Sequence, residues 1–274
     1  MMLNLKAVKD NLSQILALTE KNIKLQTRYK FHIIFAVINP IIALMIPLVL
    51  MGTLFRFNSQ FGPWTAQNFI IYQFIAYQIL LLRRLNSVFP QEFRTEKYWK
   101  TLPALIVGPF NRFNLLFGIF FSHIVMISIP FTMVFIINFI FFPIDFLTIL
   151  FMLIEYLLIA LIMSGVGLML GIFAISFENL YPVLGFLLNF VFLFSCISFP
   201  YQIFPTFIQS IINLNPLYYI FDFLRLTWIE NNIFITLSTH QLNLYILLSG
   251  AIILPFIGVY VFNVTYKKFG ITGY

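Results

Sequence analysis

Residues 113–142 contain no aspartate, glutamate, lysine or arginine. Several comparably apolar runs follow one another along the chain, each about as long as the roughly 20 residues a helix needs to cross a bilayer core. Within hydrocarbon no water is available to the backbone, so such runs must satisfy their own N–H and C=O groups as α-helices. Composition agrees, with 61% hydrophobic and only 9% charged residues. The fold class expected is an all-α integral membrane protein. At 274 residues it is expected to form a single membrane domain, 1–274, with no separate soluble catalytic domain. The lone Cys196 lies inside an apolar run and supplies no disulfide framework.

The periodicity predicts an amphipathic helix over residues 3–29. Leu5, Val8, Leu12, Ile15, Leu16 and Ile23 share one face, and Lys6, Lys9, Lys21, Lys24 and Arg28 occupy the other. Such a helix lies in the membrane interface. Six spans are predicted, at 31–55, 66–88, 113–142, 145–175, 180–199 and 242–265. With the N-terminus in the cytosol, all of the 16 basic residues except Arg56 and Arg225 fall on the cytosolic side. The positive-inside rule therefore places both termini in the cytosol of a cell-membrane protein. The net charge of +7 is accounted for by this placement and implies no nucleic-acid partner. Asn39-Pro40 and Pro47 predict a kinked first span. Residues 200–241 are too apolar for a solvated loop and are broken by Pro200, Pro205 and Pro216. Two short re-entrant helices are expected there, between spans 5 and 6.

One stretch, "QEFRTEKYWKTLP" (91–103), concentrates charge between two apolar runs. Glu96 and Lys100 stand at i, i+4, as do Tyr98 and Leu102. The stretch reads either as a short docking helix presenting charges and aromatics, or as a solvated connection that fixes topology by its charge. No catalytic constellation is visible. The chain has no Gly-x-x-x-x-Gly-Lys-Ser/Thr phosphate loop and no His-Glu-x-x-His zinc site. Neither ATP nor a metal is therefore expected on this chain. Within the spans, His123 and Glu155 are the polar candidates. Either they meet near the midplane between spans 3 and 4, or each bonds a nearby hydroxyl or backbone group. Gly167 and Gly171 form a G-x-x-x-G suited to close helix packing, within the chain or between subunits. Asp222 and Arg225, at i, i+3, can pair. Phenylalanines are numerous, and face either lipid or a translocation path.

The segment 100–118, "KTLPALIVGPFNRFNLLFG", resembles a signature of ABC-2 type transporter permeases. Glu96, Thr101, Leu102, Leu105, Val107, Pro109, Arg112, Leu115, Leu116 and Gly118 occupy matching places. Lys100 and Pro103 stand where that pattern has Gly and Glu. Downstream, Phe199, Pro200, Pro205, Asn215, Pro216, Leu217, Tyr219, Asp222 and Arg225 match the family's second pattern. "KNIKLQTRYK" followed by "INP" (38–40) is similar to its beginning. The resemblance implies a permease working as a dimer, with ATP and magnesium held by two separate cytosolic ATPase subunits. It implies that 90–103 is a coupling helix, with Glu92, Arg94, Glu96, Lys97, Tyr98, Trp99 and Lys100 contacting the ATPase. It further implies an extracytoplasmic gate around Pro200, Pro205, Asn215, Pro216, Tyr219, Asp222 and Arg225. The expected cargo is an amphiphile: a drug, a lipid or a lipid-linked glycan. A membrane-embedded transferase acting on a lipid-linked substrate is the alternative from another class, and it would require clustered acids near a membrane face.

Overall fold

The computed structural model describes residues 5–28, 30–58, 60–100, 112–176 and 180–269. Its elements begin with α1 (Leu5–Thr27), α2 (Lys30–Phe57) and a small hairpin, β1 (Gln60–Phe61) with β2 (Trp64–Thr65). Then come α3 (Phe69–Arg83), α4 (Leu85–Tyr98), α5 (Arg112–Phe141), α6 (Phe146–Ser176) and α7 (Leu180–Leu193). A 3₁₀ turn (Tyr201–Ile203), α8 (Thr206–Ile212), α9 (Pro216–Glu230), α10 (Ile233–Thr239) and α11 (Gln241–Phe269) complete it. The helices run between two ends. One, here the basic end, gathers α1, the tip of α4 and the start of α5. The other carries the hairpin and α8–α10.

Among the described residues, α2, α5, α6 and α11 are long and apolar enough to cross a membrane. The two other predicted spans are cut short. The run 66–88 becomes α3, which passes at Arg84 into α4. Arg84 keeps helical dihedrals (φ −59°, ψ −27°), but its N–H and that of Ser87 make tighter i−3 bonds, at 3.1 and 3.0 Å. Pro90, one turn further, has no N–H to donate to the carbonyl of Asn86. The α3–α4 pair is therefore one bent rod, and the charged stretch is its continuation rather than a separate connecting helix. The run 180–199 forms helix only to Leu193; beyond it Cys196 adopts a left-handed φ of +55° that an α-helix cannot run through, and Pro200 disfavours α-geometry at Phe199. Between residues 200 and 241 three helices form where two were expected. The hairpin at 60–65, turning on Gly62 at φ +61°, has no counterpart in the sequence reading.

The core of the bundle is α6, which packs against α4 on one side and α11 on the other. Small residues permit this. A Cβ on Gly167 would lie 2.5 Å from the carbonyl oxygen of Leu85, and one on Gly165 would lie 2.6 Å from the nitrogen of Pro255. Gly171 meets the ring and backbone of Phe93 and Phe89, and a Cβ on Gly258 would be 2.9 Å from the carbonyl of Gly165. The G-x-x-x-G at 167 and 171 is thus spent within the chain, on α4. A carbonyl beside the first proline kink is also satisfied by a neighbour: Tyr77 Oη donates to Val37 O at 3.2 Å.

Helix α1 shows three faces. Asn11, Gln14, Leu18, Asn22 and Gln26 turn toward α5, where Asn114 Nδ2 donates to Asn11 Oδ1 (2.8 Å) and Gln14 Oε1 (2.7 Å). Leu18 packs on Gly118. The apolar stripe of Val8, Leu12 and Leu16 stays exposed, uncovered by protein, which suits contact with lipid. Helix α1 is therefore attached through a largely polar stripe that hydrophobic periodicity did not reveal.

Gly167→Val should cost at least the 1–3 kcal/mol typical of overpacking, because the clash is with backbone. Thermal unfolding in detergent should show a clear loss, whereas Gly185→Ala, inside α7 with open space at its Cβ, should unfold no lower than the parent, since alanine is the better helix former.

Candidate functional site

The charged stretch divides into two faces when α4 forms. Phe93 and Glu96 are buried, and Glu92 and Lys97 are half-buried. Lys21 Nζ of α1 donates to Glu96 Oε1 at 2.9 Å. Lys97 Nζ donates to the carbonyl of Ile175, near the end of α6, at 3.3 Å. Glu92 Oε1 lies 3.3 Å from His123 Nε2, which also contacts Gln26 Nε2 at 2.8 Å. Glu92, Glu96 and Lys97 thus hold α1, α4, α5 and α6 together. Arg94, Tyr98, Trp99 and Lys100 point away from the bundle, with Tyr98 84% and Trp99 54% exposed. The Arg94 guanidinium lies 5.3 Å from the Tyr181 ring centroid. Lys100 follows the last turn of α4 with φ +58°, the left-handed geometry a helix terminator adopts and glycine adopts most easily. Residues 101–103 of the predicted coupling segment, and the motif positions Thr101, Leu102, Leu105, Val107 and Pro109, lie outside the described residues.

At the other end, the break after α7 is held by side chains. Tyr72 Oη of α3 donates to the carbonyls of Cys196 and of Phe199, the latter at 2.7 Å. Gln73 Nε2 donates to Ser198 O at 3.1 Å. Arg225 of α9, 1% exposed, donates through Nη2 to Ile197 O at 2.7 Å, with its guanidinium 3.8 Å from the Tyr72 ring centroid. All four consecutive carbonyls, 196–199, thereby face a side-chain donor, those of Cys196 and Phe199 sharing the single Tyr72 hydroxyl proton. Asn215 caps α9, accepting from Leu217 N at 3.1 Å, and its Nδ2 ties back to Val191 O at 2.6 Å. Pro216 sits at the first helical position, where a missing N–H costs nothing. Pro205 precedes α8 and Pro200 precedes the 3₁₀ turn. Tyr219 Oη donates to Asn213 O at 2.9 Å. Arg225 is engaged by the turn, and among the described residues no ion pair joins it to Asp222.

His123 and Glu155 do not meet. Glu155 is buried on α6, where its Oε1 accepts from Thr227 Oγ1 of α9 at 2.9 Å, a hydroxyl partner as the second expectation had it. Beside it Tyr156 Oη donates to Gln78 Oε1 of α3. His123 instead joins Glu92 and Gln26 at the basic end. Helix α5 has 30 residues, about 45 Å, roughly 15 Å more than a hydrocarbon core. His123 stands on the part of α5 that α1 and α4 cover, at the basic end.

Residues 13–228 match the family of ABC-2 type transporters. The chain belongs to that family. A comparison with curated proteins found no match. In this ABC-2 permease the second pattern has a structural meaning: Phe199 accepts from Tyr72, Asn215 and Pro216 start α9, and Arg225 reaches back to Ile197. The first pattern ends at Gly118, where α1 crosses α5. Lys100 fills the place of the pattern's glycine in glycine's own conformation. Sequence reasoning missed Lys21, Tyr72, Gln73, Gln78 and Thr227. The two glutamines were visible as polar residues within a predicted span, the usual sign of a functional or structural role.

Arg225→Met should remove the donor to Ile197 O and leave a buried carbonyl unpaired, a loss of about 1–3 kcal/mol readable as a lower unfolding temperature. Lys100→Gly should have the opposite sign and raise stability by roughly 1 kcal/mol, the usual cost of left-handed geometry for a side-chain-bearing residue.

Proposed function

We propose that this permease is the membrane half of an ATP-driven exporter that carries an amphiphile (a drug, a lipid or a lipid-linked glycan) out of the cytoplasm. It spans the cell membrane six times as one half of a homodimer, with α3 and α7 as the shorter crossings and α8–α10 in the outer leaflet. The basic end faces the cytosol, as the distribution of lysine and arginine requires. ATP and magnesium belong to a separate ATPase subunit seated on the tip of α4. The gate residues at the hairpin end set how the break after α7 is held, and so how the outer mouth opens.

One observation carries the docking part of this reading. Glu92, Glu96 and Lys97 brace α4 from within, while Arg94, Tyr98, Trp99 and Lys100 stand exposed together at its tip. Aromatic and arginine side chains on a rigid support are what an interface anchor needs. A stretch serving only topology would require the charges but not two exposed aromatics on a braced helix.

The test is purification of the full chain from its native membranes in mild detergent, followed by identification of co-eluting ATPases. Arg94→Glu combined with Trp99→Ala should cut recovery of an ATPase subunit by about tenfold or more, with unfolding temperature unchanged. Lys21→Met, which removes a brace rather than a contact, should lower stability first. Recovery of no ATPase with the parent chain, or equal recovery with the double variant, would sink the reading.

A further inference from the structure

A cavity of about 610 Å³ lies between α2 and α7, floored by the junction of α3 and α4. It is open to the outside of the bundle. Two consecutive arginines, Arg83 and Arg84, enter its lining, and no aspartate or glutamate does. Arg83 is held in place: Nη2 donates to Asn189 Oδ1, and the guanidinium lies 4.3 Å from the Phe192 ring centroid. Arg84 is half-buried and, among the described residues, has no hydrogen bond or ion pair from its guanidinium. It also borders a neighbouring cavity of about 310 Å³. The remaining polar lining includes Asn39, and the apolar lining includes Phe186 and Leu188.

Two cations side by side in an apolar wall with no acid opposite are costly in a membrane and call for a counter-charge. Guanidinium groups match the geometry of phosphate oxygens and bind them bidentately. Basic pockets between membrane helices on the cytoplasmic side are suited to lipid headgroups. Arg84 lies about 21 Å along the α3–α4 rod from Tyr98, between the exposed tip and the hairpin end. The apolar walls beside the arginines are suited to acyl or prenyl chains rather than to a free ion.

We propose that this cavity binds the phosphate-bearing headgroup of a lipid, with Arg83 and Arg84 as its ligands, Asn189 positioning Arg83, and the lipid tail leaving between α2 and α7. The site requires only that the chain lie in a bilayer. It is independent of ATPase docking, and the two experiments fail separately.

The purified full chain in detergent is titrated with dioleoyl phosphatidic acid, with dioleoylglycerol, which has the same tails without phosphate, and with inorganic phosphate alone. Bound lipid is counted by native mass spectrometry, and stabilisation is followed by thermal shift. Phosphatidic acid should bind, and the other two should not. Arg83→Gln with Arg84→Gln should weaken binding by about tenfold or more. Gly185→Phe provides a second variant. Gly185 lines the cavity and has open space at its Cβ, so the new ring fills the volume while both arginines remain. It should also abolish binding, even if the arginine variant fails to fold. Retention of dioleoylglycerol equal to that of phosphatidic acid would overturn the proposal. So would phosphate alone binding as tightly as the lipid, or parental binding in Gly185→Phe.

Discussion

The bundle depends on how closely α4 and α11 approach the two sides of α6. Lipid tails are as apolar as leucine, so burying hydrophobic surface does not by itself drive helices together in a membrane. Close van der Waals contact does, and it requires small residues. Gly165, Gly167 and Gly171 on α6, with Gly258 on α11, supply it at positions where a single added carbon would meet backbone. Backbone cannot rotate out of the way as a side chain can. The mutual placement of these three helices is therefore tightly fixed, and α3 and α9 pack on the same bundle.

The second constraint is the supply of hydrogen bonds where a helix is interrupted. Past the end of α7 at Leu193 the chain leaves regular hydrogen bonding, and the carbonyls of residues 196–199 need donors from elsewhere. Tyr72, Gln73 and Arg225 answer them one by one, from α3 and α9. An arginine in such surroundings would be costly alone. Here it is both a donor to a carbonyl and a cation on an aromatic face, two roles its planar guanidinium can fill at once. The break is a built feature of the fold, with its partners drawn from elements distant in sequence.

Much of the architecture was legible in the sequence because apolar runs and basic residues report directly on the solvent each segment meets. The amphipathic α1, the long apolar helices and the unusual character of 200–241 all followed from that. Lengths were less legible: α7 ends at a local break inside an apolar run, to which hydropathy is blind, and α3 ends at the Arg83-Arg84 pair that lay within a predicted span. The stretch 91–103 stood out in the sequence as a concentration of charge, but its composition could not show that Glu92, Glu96 and Lys97 turn inward. Each does so because its partner (His123, Lys21 or the Ile175 carbonyl) comes from another helix. The expected meeting of His123 and Glu155 failed for a similar reason. Counting rise along two helices compared only those two, whereas the partners His123 and Glu155 actually meet, Glu92 and Gln26 for the first and Thr227 for the second, come from other helices.

The bent rod formed by α3 and α4 has a mechanical consequence. Near the middle of its length, one residue past the bend at Arg84, the carbonyl of Leu85 would lie 2.5 Å from a Cβ on Gly167. Measured from Arg84, Tyr98 lies about 21 Å along one arm, and Tyr72 about 18 Å along the other. A lever with its fulcrum there has nearly equal arms. If the rod tilts as one body about that point, a movement of the exposed aromatic tip swings Tyr72 by a similar distance in the opposite sense at the hairpin end, and Tyr72 is the residue that grips the carbonyls of Cys196 and Phe199.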